Sequence, residues 1–213
     1  FVSFVNYYEQ GLHKIDRPKF FSAIRYILPK FDEIVFYSPF LSEAYQRHYG
    51  VPSKKITVVL NPVSRRELLP VTMSVEPTLL FAGRFGAYKN LELLIRTFYK
   101  VCQKIGKGRL IMIGEGPDKE KLEKIIRGLP SVAYVQLISK VNQEKLFEHI
   151  CSSWIGIGPA LTEFNPNFIL ECLSFGKPVL LSRENGLSVK LPEEFLFDSG
   201  NENELAEKMT RLF

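Results

Sequence analysis

The chain has 213 residues, 46% of them hydrophobic and 13% aromatic, and carries a formal net charge of +5. This composition excludes a disordered chain and is enough to build a core in one or two domains. No run approaches ~18 apolar residues, so no transmembrane helix is expected, and the positive charge suits an anionic ligand, an anionic membrane surface or nucleic acid.

In the first 77 residues "KFFSAIRYIL" (19–28) is predicted to be helical and "EIVFYS" (33–38) a strand. "FLSEAYQRHYG" (40–50) reads as a helix with Gly50 just past its end, and "KITVVLNP" (55–62) as a second strand. Residues 64–77 show no clear period and hold two prolines, as a linker would. Arg65 and Arg66 within them read as ordinary solvated surface. Two strands and two helices do not make a full domain, so residues 1–63 look like the tail of one. The opening "FVSFVNYY" lacks Met and resembles neither a signal peptide nor a natural start, which fits a piece of a longer chain.

From residue 78 the pattern becomes regular. Strands are predicted at "TLLFA" (78–82), "RLIMI" (109–113), "AYVQLI" (133–138), "WIGIG" (154–158), "PVLLS" (178–182) and "EFLFD" (194–198). Helices are predicted between them at 90–105, 117–128, 142–150 and 166–176, with a last one at 201–213. In the first of these helices the apolar residues Leu91, Leu94, Ile95, Phe98, Val101, Cys102 and Ile105 form one stripe, with Asn90 as N-cap. Strands apolar on both faces that alternate with helices define an α/β class, a doubly wound parallel sheet. Ligands of such sheets bind at the C-terminal ends of the strands.

The loops at that edge hold the candidate chemistry. "GRFGAYKN" follows the first strand, and Arg84 and Lys89 in it are cations beside a helix start. It is not a P-loop, since no Gly-Lys-Ser/Thr ends it. "GEGP" follows the second strand, where Gly114 and Gly116 permit close backbone approach. "EFNPNFILE" (163–171) leaves Glu163 in the loop, Asn165 as N-cap, Pro166 as first helical residue and Glu171 in the early turns. The amides of Asn167 and Phe168 then face an incoming phosphate. Cys102, Cys151 and Cys172 are scattered and form no Cys-x-x-Cys pair, so they read as reduced, buried thiols of a cytoplasmic protein. His13, His48 and His149 lack ligand spacing, and no metal is expected.

Taken in order, "NPV", "LLFAGRFGAYKN", "LIMIGEGP", "KVNQEKL" and "EFNPNFILECLSFGKPV" resemble the GT-B glycosyltransferases, specifically the large retaining family called "glycosyl transferases group 1". The resemblance runs over residues 32–213. It implies a nucleotide-sugar donor bound by the Rossmann-like half of a GT-B fold at 78–213, with 64–77 as linker and 1–63 as the remnant of the acceptor-side domain. By the resemblance, Arg84 and Lys89 hold the diphosphate beside Gly83 and Gly114, and Glu163 meets the sugar hydroxyls. The backbone at Phe164, Asn165, Asn167 and Phe168 contacts sugar and phosphates, Glu171 accepts from the ribose, and Lys140 and Val141 lie near the base. Glu163, Arg84 and Lys89 are the implied catalytic residues of a retaining hexosyltransferase that needs no cofactor or metal. Its acceptor is expected to be a glycan or a lipid-linked sugar, at the cytoplasmic face of a membrane, with no nucleic acid partner.

The sequence departs from the family pattern at Ser139, in "RENGLS" (183–188) and in "NPV". A nucleotide-sugar-binding module without transfer activity and another GT-B enzyme, such as an epimerase, are the competing readings. A pyridoxal phosphate phosphorylase lacks a candidate Schiff-base lysine, and a dinucleotide oxidoreductase lacks its glycine fingerprint.

Overall fold

The computed structural model describes residues 25–213, apart from 62, 64, 68, 131–133, 164 and 188. Most of the helix expected over 19–28, together with His13, lies outside the described residues. The chain divides into two compact units. One comprises residues 1–62, 162–166 and 185–190, and the other residues 63–161, 167–184 and 191–213.

In the first unit β1 (Ile34–Phe36) pairs in parallel with β2 (Ile56–Val58). Helix α1 (Pro39–Tyr49) crosses between them, and Gly50 closes it in the left-handed conformation, φ 67°. Phe36, Leu41, Tyr45, Tyr49 and Val51 form the small core. Lys55 holds the chain entering β1, its ammonium donating to the carbonyls of Pro29 and Phe31.

The second unit contains β3 (Thr78–Ala82), β4 (Arg109–Ile113), β5 (Tyr134–Ile138), β6 (Ile155–Gly158), β7 (Val179–Ser182) and β8 (Leu196–Phe197). All pairs are parallel and the spatial order is β5-β4-β3-β6-β7-β8. The helices are α2 (Leu91–Ile105), α3 (Lys119–Arg127), α4 (Gln143–Ser152), α5 (Asn167–Ser174) and α6 (Glu202–Leu212). The α/β class and the parallel sheet are as expected. The apolar stripe of α2 packs with Leu205 and Met209 of α6 and with Leu79, Leu110 and Leu180 of the strands in one continuous core. Burial of these side chains from water is the main force holding the unit together.

Two glycines of β6 let α5 lie close to the sheet. A Cβ at Gly156 would come within 2.5 Å of Cys172 Sγ, and one at Gly158 within 3.3 Å of Ile169 of α5 and 2.5 Å of Leu181 Cδ1 on β7. The "GIG" of this strand is therefore a packing requirement.

The expected helix entries need correction. Helix α5 begins at Asn167, so Pro166 precedes the helix and Asn165 lies one residue before the cap position. Asn90 does stand at the N-cap of α2, but in the left-handed region at φ 54°, and its side chain makes no capping bond. Its Nδ2 donates instead to the Ser199 carbonyl at 2.8 Å. Helix α3 starts two residues after Pro117, at Lys119. The last predicted strand shrinks to Leu196–Phe197 behind a 3₁₀ turn at Glu193–Phe195.

Candidate functional site

The direction of strand order reverses between β3 and β6. From β3 the chain winds outward to β4 and β5, and from β6 outward to β7 and β8. The loops leaving β3 and β6 therefore stand at a topological switch point, the usual ligand position in such a sheet. One backbone bond ties the two loops, from Leu161 N–H to Tyr88 O at 2.8 Å.

The loop after β3 is held from two more sides. The Gly83 amide donates to Ile113 O and the Phe85 amide to Glu115 O, while Phe85 O accepts from Asp118. The Phe85 ring is fully buried. Gly114 and Gly116 make this closeness feasible. A Cβ at Gly114, where φ is 153°, would stand 1.9 Å from Gly83 O, and one at Gly116 would stand 2.1 Å from Phe85 O. The glycines of "GEGP" thus serve contact between two loops, a reason the sequence alone did not distinguish from ligand approach. On this braced loop Arg84 is exposed and Lys89 is half-buried, its ammonium 5.0 Å from the centre of the Tyr88 ring.

After β5, Lys140 is exposed and Val141 half-buried. Lys119 at the start of α3 pairs with Glu115 at 3.0 Å and reaches Ser139 Oγ at 3.4 Å, joining the second and third loops.

At the entrance of α5, Asn167 is exposed and Phe168 is buried against Phe81, ring centres 6.5 Å apart. Glu171 is the fifth residue of the helix and half-buried. Burial raises its carboxyl above the ordinary value of 4.5, and the positive charge of Arg66 partly opposes the rise. Arg66 is a residue that sequence reasoning missed. Its guanidinium stacks 4.6 Å from the centre of the Phe147 ring, and its amide donates to Ser174 O at 2.7 Å. Contacts to residues more than 80 positions away leave no local signal in "SRRELLP".

Glu163 and Asn165 belong to the first unit. Glu163 is half-buried and bridges Asn185 in parallel, and its carbonyl accepts from the Gly186 amide at 2.8 Å. Phe164 lies outside the described residues. The structure therefore brings Gly83, Arg84, Lys89, Gly114, Lys140, Val141, Asn167, Phe168 and Glu171 to one edge of the six-stranded sheet. Among the described residues no cluster of three or more His, Cys, Asp or Glu has the arrangement of a metal site. None of their helices is long and apolar enough to cross a membrane.

This architecture is the Rossmann-like half of a GT-B fold. The chain belongs to the family "Glycosyl transferases group 1", whose sequence profile matches residues 76–213. The chain is similar to the sulfoquinovosyl transferase SQD2 of Arabidopsis thaliana, 30% identical over 162 residues, which is 71% of this chain and 30% of that protein. It thus spans less than a third of that curated relative's length. Among solved structures, sucrose-phosphate synthase from Thermosynechococcus elongatus superposes with a TM-score of 0.78 at 21% identity, covering 98% of this chain and 55% of the other. The pneumococcal O-GlcNAc transferase GtfA, solved in complex with UDP and GlcNAc, gives 0.74 at 15% identity, covering 91% and 40%. These two likenesses speak for the fold.

Proposed function

We propose that this chain is the donor-binding part of a retaining hexosyltransferase that moves a sugar from a nucleoside diphosphate to an acceptor. The observation that carries the reading is the switch in strand order between β3 and β6. The loop that carries Arg84 and Lys89 follows one of the two strands, and the chain leading into α5 follows the other. Breaking a sugar–diphosphate bond builds negative charge on the leaving phosphate. Fixed cations and helix amides aimed at that charge stabilise it where it develops. The loop bracing described above matters here, because such groups are effective only when their positions are set before the reaction.

Glu171 is assigned to the ribose hydroxyls, one turn below the phosphates, as a hydrogen-bond acceptor. Glu163 is assigned to the hydroxyls of the sugar, and Lys140 and Val141 to the base. The positive charge of Arg84 and Lys89 offers the role that a metal takes in other transferases. The acceptor is read as a glycan or a lipid-linked sugar, and a basic chain favours an anionic, cytoplasmic membrane surface.

The test is a thermal-shift panel on the purified protein with UDP, GDP, ADP and their glucose conjugates. A ligand that binds only the folded state raises the melting temperature in proportion to ln(1 + [L]/Kd). One nucleotide series is expected to raise it. No shift from any member would overturn the assignment.

A further inference from the structure

Ser38 occupies the N-cap position of α1, where a serine ordinarily bonds the first turn of its own helix. Here it makes no such bond. The residue is fully buried and its hydroxyl donates to the Gly186 carbonyl at 2.9 Å, 148 positions along the chain. Asn165 also bonds a distant segment. It is buried, and its Nδ2 donates to the Tyr37 carbonyl at 3.2 Å.

The two ties start from adjacent residues, Tyr37 and Ser38, and end on two separate loops. Glu163 lies between their ends. Its carbonyl accepts from the Gly186 amide at 2.8 Å, and the residue bridges Asn185. Asn185 is itself set by its Oδ1, which accepts from the Leu187 amide at 3.0 Å. The backbone carrying Glu163 is thus clamped on one side through Gly186 to Ser38 and on the other through Asn165 to Tyr37. Burial, and then the negative charge of Glu163, raise the Tyr37 hydroxyl above its ordinary value of 10.

We infer that Ser38 and Asn165 are positioning residues, whose long-range bonds fix the backbone of Glu163 in the geometry that its carboxylate needs to meet a sugar. The inference rests on the reading of Glu163 given above. Both side chains are of types that cap helices, yet both bond the main chain of distant segments, which makes a local role in α1 or α5 an insufficient account of them. A carboxylate held by such supports loses turnover when it is displaced by about 1 Å, while substrate binding through other groups persists.

The experiment compares wild type, Ser38→Ala, Asn165→Ala and Glu163→Ala in the full-length protein. Nucleoside diphosphate release is measured from UDP-glucose, UDP-N-acetylglucosamine, GDP-mannose and ADP-glucose, together with hydrogen exchange at the Gly186 amide. Ser38→Ala is expected to speed exchange at Gly186 and to lower kcat about tenfold with KM within about twofold. Asn165→Ala is expected to show the same kcat-weighted loss, and it carries the test if Ser38→Ala does not fold. Folded variants with wild-type kcat, beside a Glu163→Ala that has lost turnover, would overturn the positioning role and leave the reading of Glu163 intact. Wild-type turnover in Glu163→Ala, or no release by wild type from any of the four donors, would remove that reading and this inference with it.

Discussion

The ammonium of Lys177 donates to the carbonyl of Cys151 at 2.6 Å, and a second bond reaches Ser153 at 3.0 Å. These carbonyls stand at the C-terminal end of α4, where main-chain oxygens lack helical partners and the helix dipole is negative. The lysine of "GKPV" is therefore a helix cap delivered from the turn after α5. Burial lowers its pKa.

Lys177→Met should accordingly destabilise the fold by roughly 1–3 kcal/mol, the cost of leaving part-buried carbonyls without a donor. Nucleotide affinity of the folded fraction should be unchanged. Urea unfolding and calorimetric titration with UDP, GDP and ADP separate the two effects. A loss of affinity without loss of stability would reassign Lys177 to the ligand.

Arg84→Ala and Lys89→Ala should each lower kcat by about 10²-fold, the usual consequence of losing one charge-stabilising donor. Steady-state nucleotide release in the full-length protein is the readout. Wild-type rates in both variants would contradict their place against the diphosphate.

Glu171 gives a pH signature. Its carboxyl is raised above the ordinary 4.5 by burial, so it takes up a proton at a higher pH than an exposed glutamate does. Only the ionised form is a pure acceptor for two ribose hydroxyls. Affinity for the nucleotide that the panel identifies should therefore fall as pH drops through a window starting above 4.5. Glu171→Gln should bind more weakly at neutral pH and lose that acid limb. An unaltered profile in the variant would place the titration on another group.

Acid stability should involve Glu204. Hydrogen bonds from Arg183 and from the Asp198 amide hold its carboxyl down at about 2, against an ordinary 4.5. Arg183 also pairs with Glu193, so the loop after β7, the turn before β8 and the start of α6 share one ion cluster. A depressed carboxyl contributes stability that is present above pH 4.5 and lost as pH falls toward 2. The cluster is solvent-exposed, so the contribution is screened and modest. Glu204→Gln should lower the melting temperature at pH 7 and flatten its decline between pH 4.5 and 2.

Much of the second unit could be read from local pattern. The stripe from Leu91 to Ile105, the apolar runs "TLLFA" and "RLIMI" and the closing glycines each reflect chemistry between near neighbours. Strand order then follows from alternation and crossover handedness. The same logic placed Arg84, Lys89 and Glu171 at the C-terminal edge of the sheet, because a loop after a parallel strand has one edge available to it.

What local pattern did not reveal is where the polar side chains of these loops are held. Ser38, Asn90 and Asn165 have the composition of caps, but their bonds go to Gly186, Ser199 and Tyr37. Arg66 sits in an aperiodic stretch and stacks on Phe147. Gly114 and Gly116 of "GEGP" are required by two main-chain carbonyls, and Gly156 of "WIGIG" by the Cys172 sulfur, all contributed from other segments. Sequence by itself determined the class of fold and the edge at which the candidate residues lie, since periodicity and loop position are local properties. Only the tertiary structure decided which polar side chains hold the loops within each unit, since a hydrogen bond between residues 38 and 186 depends on a distance that no sequence spacing encodes.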